Sequence, residues 1–423
     1  MKICLFFLSE PSSGGAYQYQ LTFLEVLKKL KKHEISVITT NRQIADIYRN
    51  DFQILNFSFY SQLLTNVSSI FRRISQSKKA VSFSEYDDAA EKDVKSSRDL
   101  INKASTLKLK INCHLLHILM KIYKIELIIY PSPSDISFNL NIPYIFTVYD
   151  LQHRINPQFP EVSKNGEFEI REYLYSNALP KASAIIADSQ VGKEDIINLY
   201  NINPDKIFVL QYLPPIYLRN KITSDESNKV RKKYDLPSEY IFYPANFWLH
   251  KNHQLIIKAI EILKKRNVYI NAVFTGSNHG EYKNLMELAR KLNVSAQIYY
   301  IGRVNNEEMS ALYKLSFGLV MPTFFGPSNI PYLEAFYLDC PVITSNLRGI
   351  RDQVQDAALL IDPESPEDLA STILQLKDKK LRETLINNGH KILGNWTYDD
   401  FSTELTNILK KFEFKLRNSN VKI

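Results

Sequence analysis

The sequence predicts two doubly wound α/β domains in tandem. Three observations carry this. At 423 residues the chain exceeds the usual size of one domain, and its 45% hydrophobic content can fill two cores. Apolar, β-branched or aromatic runs recur along its length with stretches of helical periodicity between them. These runs are continuous rather than alternating, as expected of parallel strands covered by helices on both faces.

In the first half the runs are KICLFFL (2–8), ISVIT (35–39), FQILNFS (52–58), IELIIYP (125–131), PYIFTVYD (143–150), SAIIADS (183–189) and KIFVLQYL (206–213). After a polar, charged connection the pattern restarts with YIFYPAN (240–246), INAVFTG (270–276), QIYYIGR (297–303), FGLVMPT (317–323), PVITS (341–345) and ALLID (358–362). The expected division is a first Rossmann-like domain at 1–215, a second at 216–395 and a closing helix at 396–423. Ser365-Pro366-Glu367-Asp368 supplies an N-cap, a proline at the first helical position and early acids that complement the helix dipole. Thr397 can cap the closing helix, whose Phe401, Leu405, Ile408, Leu409 and Phe412 fall on one stripe. That stripe needs a surface, and the first domain is expected to provide it.

Composition narrows the class. The opening MKICLFFLSEP has an apolar run shorter than the roughly 7 to 15 residues of a secretory signal core, and it reads as a first strand. No apolar run approaches the about 18 to 20 residues of a bilayer-spanning helix. Cys4, Cys113 and Cys340 lie far apart without C-x-x-C spacing, which suits a reducing cytoplasm. The formal net charge of +8 is uneven: residues 61–124 hold twelve Lys and Arg against six acids. This basic segment, about 59–124, reads as a helical insertion with a flexible middle. Mixed with amphipathic character, its charge suits an anionic membrane surface or anionic ligand. Nucleic acid is not expected, because no zinc-finger spacing, RNA-recognition aromatic signature or arginine-rich arm is present.

In doubly wound sheets ligands bind outside the carboxyl ends of strands, so those ends hold the candidate site residues. After the first run, Gly14-Gly15 lets backbone approach a ligand at a helix N-terminus. After PYIFTVYD come Asp150, Gln152, His153 and Arg154, a polar group suited to hydroxyls and developing charge. After YIFYPAN come Asn246, His250, Lys251 and His253. A lysine at a helix N-terminus opposes the dipole at a cost of about 0.3 to 1 kcal/mol unless an anion is near, so Lys251 points to a phosphate. His250 and His253 lack the further ligands of a metal site, and no metal is expected. In FFGPSNIPYLEA (324–335), Ser328, Asn329 and Ile330 present amides at a helix N-terminus, and Glu334 follows on its first turns. Amides suit a diphosphate and a nearby carboxylate suits vicinal hydroxyls such as those of ribose, a nucleotide site in combination.

These residues resemble the group 1 (family 4) class of retaining glycosyltransferases with the GT-B fold, two Rossmann-like domains facing across a cleft. The resemblance covers essentially the whole chain. It rests on the Gly-Gly loop, FTVYDLQHRINPQFPEVS (146–163), YPANFWLHKNHQLIIKAI (243–260) and PTFFGPSNIPYLEAFYLDCPVITSN (322–346) followed by ALLIDPESPEDLA. The last is the most specific, since the family holds two glutamates there, separated by seven residues. Glu334 matches the second, which implies a ribose contact, and Lys251 matches the phosphate lysine. Gly326 stands at the first glutamate, Tyr149 where a histidine is frequent, and Asn246 where an arginine is frequent.

The resemblance implies a metal-independent hexosyltransferase, without a cofactor, that moves a sugar from a nucleotide-diphosphate sugar with retention. Lys251, Glu334, Asn246, Ser328, Asn329, Ile330 and Gly15 would hold the donor, and Asp150 and His153 would face the reacting centre. Gln152 and Arg154 would meet a saccharide or lipid-linked saccharide acceptor. Cell-envelope polysaccharide or lipopolysaccharide synthesis is the implied setting, in the cytoplasm or peripherally at the inner face of the plasma membrane. The alternatives are an inactive GT-B module that binds nucleotide sugar or scaffolds an assembly, and a nucleotide-sugar epimerase on the same fold.

Overall fold

The structure, a computed structural model, describes residues 1–56 and 113–419. The expected insertion at about 59–124 lies outside the described residues up to residue 112; residues 113–122 are helical. Strands occupy β1 (Lys2–Phe7), β2 (Glu34–Thr39), β3 (Gln53–Asn56), β4 (Leu127–Tyr130), β5 (Tyr144–Val148), β6 (Ala184–Ala187) and β7 (Ile207–Val209) in the first half. The second half contributes β8 (Tyr240–Pro244), β9 (Asn271–Thr275), β10 (Ile298–Tyr300), β11 (Gly318–Met321), β12 (Val342–Ser345) and β13 (Ala358–Ile361). Each apolar run read from the sequence coincides with one strand, to within a residue at the start of β2.

The strands form two sheets, in the orders β3-β2-β1-β4-β5-β6-β7 and β10-β9-β8-β11-β12-β13, and every described pairing is parallel. Chain order reverses between β1 and β4 and between β8 and β11, so loops leaving these pairs part and open a crevice at each site.

Alternation of side chains across the pleat explains the double cover. Ile3, Leu5 and Phe7 of β1 enter one core while Cys4 and Phe6 enter the other. The helix Gly15–Leu27 lies on the first of these faces. Beside it is the last helix, Tyr398–Ser419, whose Phe401, Leu405, Ile408 and Leu409 are at most 1% exposed. Burial of each contributes about 1.5 to 3 kcal/mol. Thr397 and Asp400 exchange hydrogen bonds at its start. The Trp396 indole N–H donates to Gln211 O at 3.0 Å and Tyr398 OH to Pro214 O at 3.1 Å, so the chain crosses from the second domain to the first there.

Candidate functional site

A cavity of about 370 Å³ lies between the domains where the two switch-point crevices face each other. Gly15 after β1 and Tyr149 and Asp150 after β5 line it from the first domain. Trp248, His250 and Lys251 after β8, and Phe325 to Pro331 after β11, line it from the second. The closeness is direct: a Cβ on Gly15 would sit 3.4 Å from Ile330 Cδ1.

Asp150 meets the cavity at the end of β5. Its Oδ1 accepts from Gln152 N at 3.0 Å and from Arg171 Nη1 at 3.1 Å. Arg171 comes from the helix Glu167–Lys181 and also lines the cavity, so a carboxylate and a guanidinium share this wall.

His153 does not join them. It is fully buried on the four-residue helix Gln152–Ile155, with Nε2 3.1 Å from Tyr200 OH and its ring stacked on Tyr175. Burial, with Arg171 nearby, lowers its pKa. The short helix also turns Arg154 away. Its guanidinium forks onto Glu172, donates to Leu199 O and lies 4.0 Å over the Tyr200 ring. Gln152 is buried and accepts from Asn156 Nδ2. The expected grouping of Gln152, His153 and Arg154 around a reacting centre is therefore corrected: they brace helices beneath Asp150.

In the second domain Lys251 ends the 3₁₀ turn Leu249–Lys251 and faces the cavity. No carboxylate pairs with it among the described ion pairs. Burial pushes the ammonium down to about 8, opposed by the charges of Asp150 and Glu161. A partly buried cation without a carboxylate partner is where an anionic ligand gains most. Asn246 is corrected as well: its Oδ1 accepts from Ser277 N at 2.8 Å, joining the loops after β8 and β9 outside the cavity.

Ser328, Asn329 and Ile330 line the cavity at the start of the helix Ile330–Tyr337. Asn329 N is taken by Gln353 Oε1 at 2.7 Å, so of the three amides only those of Ser328 and Ile330 can serve an anion. Gly326 has φ +126°, and a Cβ there would lie 2.9 Å from Asn329 Nδ2. The turn itself thus disfavours any side chain at 326. Glu334 is buried away from the cavity lining. Its two oxygens accept from Tyr217 OH at 2.8 Å and Tyr313 OH at 2.7 Å, and burial raises its pKa against those bonds. The expected ribose carboxylate accepts, in this arrangement, one tyrosine hydroxyl on each oxygen.

Two residues that sequence reading passed over cross the cleft. Glu161 Oε1 accepts from His250 N at 2.8 Å and from His250 Nδ1. Asp188, at the end of β6, accepts from Ser328 Oγ and from Ser189 Oγ. Asp188 has the strand-end position that drew notice to Asp150. Glu161 follows a proline at a helix start, where an acid reads as a dipole partner.

Residues 224–392 match the family described as glycosyl transferases group 1. The O-antigen chain mannosyltransferase B of Escherichia coli is 25% identical over 260 residues, 59% of this chain and 66% of the relative. The crystal structure of Anabaena HepE in complex with UDP and glucose superposes with a TM-score of 0.66 at 16% identity, covering 97% of this chain and all of that one. Sucrose-phosphate synthase from Thermosynechococcus elongatus superposes with a TM-score of 0.70 at 14% identity, over 98% of this chain and all of that one. The GT-B fold expected from the sequence is the observed fold.

Proposed function

We propose that the protein, whose residues 224–392 match the group 1 glycosyl transferase family and whose fold is GT-B, transfers a hexose from a nucleoside-diphosphate sugar to a saccharide or lipid-linked saccharide, with retention of configuration. The observation that carries this reading is Lys251, an ammonium that lines the same cleft cavity as Ser328 and Ile330 and whose pKa burial lowers. Together they match the charge that builds on a departing diphosphate, and they stabilise it in a site sheltered from water. The acceptor hydroxyl would approach from the Asp150 and Arg171 wall, on the face the diphosphate leaves. No metal or cofactor enters this scheme. UDP and glucose in the HepE complex support a nucleotide-sugar donor, and the name of the E. coli relative supports an envelope polysaccharide product.

A peripheral position at an anionic membrane face belongs to the same proposal. It rests on the basic excess of residues 61–124. Among the described residues no helix is long and apolar enough to cross a membrane. Flotation with anionic and neutral vesicles tests it, and equal recovery from both would remove it.

Thermal stabilisation by UDP, GDP, ADP, CMP and dTDP and their sugar conjugates, with Lys251→Ala in parallel, tests the donor site. A shift with one diphosphate series that the substitution abolishes supports the reading. Binding with no turnover of any conjugate would favour an inactive nucleotide-sugar-binding module instead.

A further inference from the structure

We propose that Glu161 is a closure-dependent positioning residue: carried on the first domain, it holds the second-domain turn bearing Lys251 and sets that ammonium on the leaving diphosphate only when the cleft is shut. The proposal deepens the donor-site reading and rests on it.

The turn Leu249–Lys251 is anchored unequally. Its carbonyls are held from within the second domain. Phe324 N and Thr323 Oγ1 donate to His250 O at 2.8 and 3.2 Å, and Tyr243 OH donates to Lys251 O at 2.9 Å. Asn252, just after the turn, donates to Pro322 O and Pro363 O. The amide and imidazole of His250 have a different anchor, Glu161 Oε1 of the opposite domain. Opening the cleft therefore frees one side of the turn and leaves the other bound, which permits Lys251 to swing.

The contact is largely buried at the edge of the cavity. The Glu161 side chain is 5% exposed. Phe159, two residues before it, packs on Phe324 and Phe325 with ring centroids 5.4 Å from each, and the His250 ring stacks on Phe325 at 3.9 Å. Burial pushes His250 down to about 4 and Lys251 adds to that, so the ring is neutral and Nδ1 carries the proton it donates. Glu161 stays ionised: burial raises its carboxyl, but the bonds from His250 hold it below the usual range. It therefore also adds negative potential beside Lys251 in the closed form. Among the described residues its second oxygen is buried without a hydrogen-bond partner.

The test uses the full chain as wild type, Glu161→Ala, Glu161→Gln and Lys251→Ala. UDP and GDP binding is titrated calorimetrically, and hydrolysis of UDP-glucose and GDP-mannose is followed at saturating donor, with a melting curve for each variant. The expected result is that Glu161→Ala lowers kcat roughly 10- to 100-fold while nucleotide affinity changes by less than about threefold. Glu161→Gln, whose amide oxygen can still accept from His250 N, recovers most of kcat. Lys251→Ala loses nucleotide affinity itself. A kcat for Glu161→Ala within about twofold of wild type overturns the proposal. So does equal loss in the Ala and Gln variants accompanied by a lower melting temperature, which would mark a structural role. A wild-type protein that is stabilised by none of UDP, GDP, ADP, CMP and dTDP defeats the donor-site reading first, and that outcome is distinct because no variant is needed to see it.

Discussion

Asp188 of the first domain accepts a hydrogen bond from the Ser328 hydroxyl of the second, tying the end of β6 to the turn that opens the helix Ile330–Tyr337. The carboxyl is 2% exposed, and burial pushes it up to about 7 against the pull of Ser328 and Ser189. Between the ordinary carboxylate range near 4 and about 7, the folded chain holds a proton that the unfolded chain has released. The group's contribution to stability therefore falls as pH rises through that window, and above it the full cost of a buried charge is present. Asp188→Asn removes the titration. Its melting temperature is expected to exceed that of wild type by a few degrees at pH 8, with the gap closing towards pH 4. A variant that melts below wild type at pH 8 would show that the charged form is the stabilising one.

Lys251 has the opposite sign. With its ammonium at about 8 in the fold and 10.5 as the reference value, the unfolded chain binds more protons between those limits. Stability from this group rises with pH across that window, while affinity for a diphosphate falls as the charge is lost. Nucleotide binding above pH 8 should draw a proton onto the amine. Calorimetry in buffers of different ionisation enthalpy measures that uptake. Lys251→Ala should abolish it, and an uptake unchanged in the variant would assign it to another group.

Glu334 stands between Tyr217 and Tyr313, one hydroxyl on each oxygen. Tyr313→Phe leaves Oε2 buried without that donor, at a cost of about 1 to 3 kcal/mol. In a domain of this size the melting temperature should fall by roughly 2 to 10 °C. A variant that melts with wild type would mean that the carboxylate finds water or another partner there.

Leu405 lies fully buried on the last helix against the β1 and Gly15–Leu27 surface. Leu405→Ala should cost about 2 to 5 kcal/mol in urea unfolding of the first domain, through lost burial and the cavity left behind. Lys410→Ala, an exposed position on the same helix, serves as the control and should stay within about 0.5 kcal/mol of wild type.

The sequence by itself determined the layers of this protein. The thirteen strands among the described residues, the caps at Ser365 and Thr397 and the stripe from Phe401 to Leu409 are written in local patterns that a few residues settle, because burial on both faces leaves an unbroken apolar run. Strand-end position likewise placed Asp150, Lys251 and the Ser328 to Ile330 turn on the cleft. Which polar side chain turns outward was a tertiary decision. One short helix buried His153 against Tyr175 and spent Arg154 on Glu172, and the φ of Gly326 left no room for a carboxylate. Glu161 meets His250 across 89 residues of chain and Asp188 meets Ser328 across 140. No local pattern encodes such pairs, since they exist only where two separately folded sheets bring their strand ends face to face.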